Sequence, residues 1–245
     1  MDSLDTIAVP KTIWVRRGMF RKGSSIPVDS IGKFDLIVHP GDAVPHASSE
    51  VEHDAQVELV EAITVLDSDE MWDRVDARRR IGVPEGSTAV YVQLGAGRIN
   101  DIDSEIRMVV DALLGDAKVH VILGESMLGD RLRIDLERIH LIRDYPNALF
   151  LRAFDHSVQA GGYNSFHEMR ALRIPTLFLP NMNTGMDDQL ARCRVAEKEG
   201  WGLVAAEDRS SINQDVQKLL KMSASNVDGH DTENGADQIA EMVLH

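Results

Sequence analysis

The chain has one cysteine, a deficit of basic residues and no long apolar run. A single cysteine in 245 residues, Cys193, excludes an internal disulfide and any zinc site built from thiolates. Lys and Arg number 26 against 40 Asp and Glu, and the formal net charge of −14 argues against nucleic acid or an anionic lipid surface, since both require a basic patch. Nowhere do roughly eighteen apolar residues run together. The opening MDSLDTIAVP lacks a basic stretch followed by an apolar one. These absences lead to the expectation of a soluble, cytoplasmic protein. His39, His46 and His53 lie seven apart without the i, i+4 pairing of helical zinc ligands, so no metal site is expected there.

What is present is an ordinary globular composition, 43% hydrophobic and 27% charged, with material for one large or two small domains. Residues 12–16 (TIWVR) and 34–38 (FDLIV) are strand-like, HPGDAVP after the second is loop, and Ala62 to Leu66 is a crossing segment. A helix is expected from Asp69 to Ile81, stopped by Gly82 and Pro84. A regular alternation follows. Strands at 89–94, 119–123, 140–142, 155–159, 176–179 and 202–204 are separated by helices at 102–113 (Ile102, Ile106, Val109, Val110 and Leu113 on one face), 128–139, 164–172, 189–199 and a segment bearing Ile212, Val216, Leu219 and Leu220. Such alternation implies an α/β fold, a Rossmann-like parallel sheet with helices on both faces. Residues 223–235 are polar and read as a linker, and 236–244 as a short amphipathic helix through Ile239, Met242 and Val243. Cys193, on one helical face with Leu190 and Ala196, is expected in the core.

The stretch with most chemistry is 161–189, GGYNSFHEMRALRIPTLFLPNMNTGMDDQ. Gly161 and Gly162 fall at a strand-to-helix junction, where the absence of Cβ atoms and the orphan amides of a helix start suit an anion. A diphosphate there would meet the amides of Tyr163, Asn164 and Ser165. Glu168, about one turn further in, has an acceptor suited to a ribose diol. The same Ser165-x-x-Glu168 is also an ordinary capping box that needs no ligand, and both readings stay open. Asp188 and Gln189, after the next strand, suit sugar hydroxyls, although an aspartate at a helix start is again a common cap. His156 and His167 flank the turn, where either could touch phosphate, but a satisfied structural histidine is the commoner case. Leu94-Gly95-Ala96-Gly97 lies between a strand and a helix, but is too short for a dinucleotide fingerprint.

The order Gly162-aromatic-Asn164-Ser165-x-x-Glu168, an Arg-x-Pro before a strand, and Asp188-Gln189 resembles the donor-binding signature of GT-B glycosyltransferases that use UDP-sugars. It is most similar to the branch of the lipid II-forming N-acetylglucosaminyltransferase and the macrolide and plant UDP-glycosyltransferases. The resemblance implies that the helix-start amides hold the diphosphate, Glu168 the ribose, and Asp188 and Gln189 the sugar. It makes Gly95 and Gly97 a second phosphate-facing loop, with Arg98 beside it, and the Arg143–Tyr145 segment the base-binding loop. It also implies no cofactor and no metal, the UDP-sugar being the donor substrate for an unidentified acceptor. Ala160 stands where the plant-type signature has a histidine, so a phosphate contact is missing. By the same resemblance residues 1–62 are a remnant of an acceptor-binding domain, 63–222 the donor domain, and 223–245 a linker and a helix that crosses back. The acceptor domain would then be missing or separate, and any membrane association would come through it. Rival readings are a UDP-sugar 2-epimerase and a non-catalytic donor-binding subunit.

Overall fold

The computed structural model describes residues 11–17, 31–44, 57–95, 102–124, 136–182, 187–223 and 233–244. They divide into two units, one of Met1–Thr64, Asn183–Asp188 and Thr232–His245, the other of Val65–Met182 and Gln189–Asp231.

The smaller unit is built on three parallel strands, β1 (Ile13–Val15), β2 (Leu36–Pro40) and β3 (Val57–Val60), in that spatial order. β2 is central and buried along its length, so it carries His39 and Pro40 beyond the point where a loop was expected. His39 is satisfied there, its Nδ1 lying 2.9 Å from the Arg16 carbonyl. His46 and His53 lie outside the described residues.

The larger unit holds six parallel strands, β4 (Thr88–Gln93), β5 (Val119–Gly124), β6 (Ile139–Ile142), β7 (His156–Gln159), β8 (Thr176–Phe178) and β9 (Gly202–Val204), in the order β6-β5-β4-β7-β8-β9. Its described helices are α1 (Arg74–Ile81), α2 (Ile102–Leu114), α3 (Tyr163–Ala171), α4 (Gln189–Lys198) and α5 (Ile212–Leu219). The chain runs outward from β4 in one direction and from β7 in the other, so the strand order reverses between these two. That is the doubly wound arrangement, and ligands bind it in the crevice outside the carboxyl ends of the strands at the reversal.

Period-two alternation divides the sheet's side chains between two cores. On one face Val90, Val92, Val121, Leu123, Val158 and Leu177 meet Val109, Val110 and Leu113 of α2 and Val216 and Leu219 of α5, all buried. On the other, Phe166 of α3, Phe178 of β8 and Trp201 pack with ring centroids 5.3 to 5.8 Å apart. Burying one such side chain stabilises by about 1.5–3 kcal/mol, so both helical layers are held firmly. At the opposite end of the strands from the crevice, Asp155 accepts from the Ala89 amide (2.7 Å) and from Arg78 Nη2 (2.6 Å), tying α1 to the starts of β4 and β7.

Two helices differ from expectation. α1 begins at Arg74, because Glu70 accepts the Asp67 amide at 2.9 Å and closes a separate 3-10 turn, Ser68–Glu70. Asp73 then caps α1 through the amides of Val75 and Asp76, and Gly82 ends it at φ 82° as expected. The helix expected over 128–139 does not include 136–139, which form a turn leading into β6, and 128–135 lie outside the described residues. The last helix, α6 (Gly235–Leu244), falls within one residue of expectation and belongs to the smaller unit. Ile239 and Met242 pack on Leu36, Val38 and Val60, but Val243 is exposed. The Glu61 amide donates to Gln238 Oε1 at 2.8 Å and fixes this helix beside β3.

Candidate functional site

Gln93 and Gln159 are direct partners in the parallel register of β4 and β7. Gly95 and Gly161, each two residues further on, therefore occupy adjacent turns at the crevice end of the reversal point. Both have left-handed backbone, φ 98° and 80°. Among the described residues, a methyl at Gly95 would meet nothing within 4 Å. Gly161 is the reverse case. A Cβ there would lie 2.3 Å from Cys193 Sγ, so α4 can pack against the turn only because glycine stands here and the small, fully buried Cys193 opposite. Cys193 is thus the core residue expected. Gly97 and Arg98 lie outside the described residues.

Helix α3 begins immediately after this turn, with Gly162 as its N-cap and no capping side chain. The geometry excludes one of the two readings of Ser165-x-x-Glu168. Ser165 is the third helical residue rather than the cap, and its hydroxyl donates to the Gly162 carbonyl at 3.2 Å. Glu168 lies three positions too deep to reach back to the cap. The capping box is therefore not formed. The first intrahelical bond runs from the Phe166 amide to the Gly162 carbonyl, and the amides of Asn164 and Ser165 have no acceptor among the described residues.

Glu168 itself is in an unusual state. Burial pushes its carboxyl up to about 7, and among the described residues no donor or cation contacts it. A desolvated carboxylate without a partner is costly to a fold and is a mark of functional sites. Nearby, Tyr91 donates to Gln93 Oε1 (2.9 Å) and accepts from Asn147 Nδ2 (3.2 Å). Burial chiefly, and the charge of Glu168 to a lesser degree, raise the Tyr91 phenol, which remains a neutral donor.

The remaining expected residues are distributed differently. Gln189 opens α4, and its Oε1 accepts the Asn181 amide at 2.9 Å, closing the loop after β8. Asp187 and Asp188 are half-buried and group with the smaller unit. His156 is structural, its Nε2 3.0 Å from the Met222 carbonyl, and His167 packs against Tyr163 at 4.5 Å. Tyr145 is largely exposed. Among the described residues no group of three His, Cys, Asp or Glu is placed to hold a metal ion, and no helix is long and apolar enough to cross a membrane.

One residue at this site has no counterpart in the sequence reading. Arg192 of α4 is fully buried, with Nη1 donating to the Gly161 carbonyl at 2.9 Å and its guanidinium carbon 5.8 Å from the centre of the Tyr163 ring. An arginine next to a core cysteine on the inner side of a helix was the available signal.

No family model matches the sequence. Curated relatives do. The chain is 25% identical over 162 residues to the UDP-N-acetylglucosamine--N-acetylmuramyl-(pentapeptide) pyrophosphoryl-undecaprenol N-acetylglucosamine transferase of Clostridium botulinum (strain Loch Maree / Type A3), covering 61% of this chain and 44% of that protein. It thus spans less than half the length of the curated relatives it matches. Among solved structures, Os79 from O. sativa in complex with U2F and trichothecene superposes with a TM-score of 0.56 at 14% identity, over 88% of this chain and 56% of that one. The spinosyn forosaminyltransferase superposes at 0.55 and 12%, over 89% and 57%. The fold is that of the GT-B glycosyltransferases. The resemblance carried by 161–189 therefore extends to the parallel sheet and helices around it, and the relatives in sequence and in fold are transferases by name. The spinosyn rhamnosyltransferase was solved with thymidine diphosphate, at a TM-score of 0.51, 16% identity and coverage of 85% and 59%.

Proposed function

We propose that this chain is the donor-binding half of a GT-B glycosyltransferase and holds a UDP-sugar at the crevice end of β4 and β7. The observation that carries the reading is the juxtaposition, one helical turn apart, of the amides opening α3 and the Glu168 carboxylate, none of which has a partner among the described residues. The amides and the positive end of the helix match a diphosphate. The carboxylate matches a ribose diol, whose two hydroxyls would supply the hydrogen bonds it lacks.

In the transfer reaction the acceptor hydroxyl oxygen attacks the anomeric carbon, and the bond from that carbon to the diphosphate oxygen breaks. The hydroxyl proton goes to a base on the acceptor side. Negative charge grows on the departing diphosphate, so donors already aimed at it favour the transition state over the bound donor. Asp188 and Gln189 are assigned to the sugar, with Gln189 also holding its loop closed through Asn181. An acceptor domain completes the reaction.

Calorimetric titration of the chain with UDP, thymidine diphosphate and uridine tests the reading. UDP is expected to bind more tightly than uridine because of the diphosphate, and more tightly than thymidine diphosphate because that ligand lacks the 2′-hydroxyl. Equal binding of UDP and uridine would remove the diphosphate from the helix start. Preference for thymidine diphosphate would reassign the base. Incubation with a UDP-sugar and assay for free UDP or a 2-epimer separates the transferase from the epimerase.

A further inference from the structure

The glycine turn between β7 and α3 can present its peptides to a ligand only if they are held in one orientation, and two glycines in succession leave them free to rotate. Arg192 removes that freedom. Its guanidinium, buried in α4, donates to the Gly161 carbonyl at 2.9 Å. The Gly161–Gly162 peptide is trans, so its carbonyl and its amide N–H point in opposite directions. With the carbonyl held inward by Arg192, the Gly162 N–H is directed outward, beside the Asn164 and Ser165 amides that start α3. We infer that Arg192 is a positioning residue for the diphosphate: it locks the Gly161–Gly162 peptide with its amide facing the ligand and places a permanent cation behind the turn.

The surroundings support this division of labour. Arginine keeps its charge when buried, whereas lysine does not reliably do so. The guanidinium also lies 5.8 Å from the Tyr163 ring, on the first residue of α3, so one side chain braces both the turn and the helix that follows. Cys193, the next residue of α4, fills the space where a Cβ at Gly161 would stand. Two consecutive residues of α4 thus fix the turn, one by packing and one by hydrogen bonding. Attraction between a buried cation and an anion across low-dielectric protein is much less screened than at the surface.

This inference rests on the proposed donor site, and its test separates the two. UDP and uridine affinities are measured for the parent, Arg192→Met and Arg192→Lys, with thermal melts to establish folding. Arg192→Met is expected to weaken UDP at least tenfold while changing uridine less than threefold, and Arg192→Lys to recover part of the UDP affinity. If Arg192→Met does not fold, Arg192→Lys alone is expected to lower the ratio of UDP to uridine affinity several-fold. A parent chain that binds UDP, with folded variants keeping the parental ratio, overturns the role of Arg192 and leaves the donor site standing. A parent that binds neither ligand overturns the donor site and this inference together.

Discussion

Replacing Glu168 with glutamine is expected to stabilise the fold and weaken nucleotide binding at once. The folded chain keeps the Glu168 proton up to a pH of about 7, against 4.5 for an ordinary glutamate, and burial is the cause. The unfolded chain releases its proton near the ordinary value, so between 4.5 and 7 unfolding sheds a proton and stability falls as pH rises. Above 7 the loss is complete. At about 1.4 kcal/mol per unit, the parent forfeits up to about 3 kcal/mol at pH 8 relative to acid. Glutamine has nothing to ionise. Glu168→Gln should therefore melt roughly 6–12 °C above the parent at pH 8, with the difference vanishing towards pH 4. Binding should move the other way, because loss of charge-assisted hydrogen bonds to a diol, worth about 1.5–3 kcal/mol, weakens affinity roughly ten- to a hundredfold. Uridine is the better probe of pH, since it carries no phosphate to titrate alongside. Its affinity for the parent should rise as pH passes 7 and stay flat in the variant. Scanning fluorimetry across pH, paired with calorimetry, reads both halves. A variant less stable than the parent at pH 8 would mean the carboxylate has a structural partner, and unchanged uridine binding would remove it from the ribose.

Other expectations concern the scaffold. Gly161→Ala should cost about 2–5 kcal/mol, because alanine must accept φ 80° and its Cβ falls 2.3 Å from Cys193 Sγ. Cys193→Ala in the same chain should return only the part due to the clash, and a melt of the double variant no better than the single would refute the contact. Gln189→Ala should weaken a UDP-sugar more than UDP and cost about 1 kcal/mol through the lost Asn181 bond; equal losses for both ligands would limit Gln189 to the loop. Burial lowers His120 and His140, whose rings meet at 2.9 Å across β5 and β6. The stability this pair contributes should be intact above about pH 6.5 and lost as pH falls through their depressed values. His140→Gln should flatten that part of the stability profile. UDP affinity should be unchanged by EDTA; a large loss restored by magnesium would make Asp187 and Asp188 metal ligands.

The sheet of the larger unit was legible because most of its strands are short apolar runs, and those of β4, β5 and β8 end at or just before a glycine or proline. β9 fell on its expected residues, and β7 and α3 within one residue of theirs. The boundaries that slipped depend on side-chain closures such as Glu70 with the Asp67 amide, where an acidic residue could equally have opened a longer helix. The proposed site rests on glycines and a Glu168 that the sequence displays, but the sequence did not display the geometry that rules out a capping box. That required knowing that Gly162, not Ser165, is the N-cap. Arg192 was missed because polarity patterns assign arginine to the surface, and it is fully buried.

The central claim is that the turn Gly161–Gly162 and the first turn of α3 hold a nucleoside diphosphate. The most direct measurement follows backbone amide resonances during a titration with UDP and, separately, with uridine. The account predicts that the amides of Gly162, Asn164 and Ser165 shift strongly with UDP and weakly with uridine, and that resonances near Glu168 move with both. Binding of UDP that leaves these three amides unmoved, or moves them equally with uridine, would contradict it.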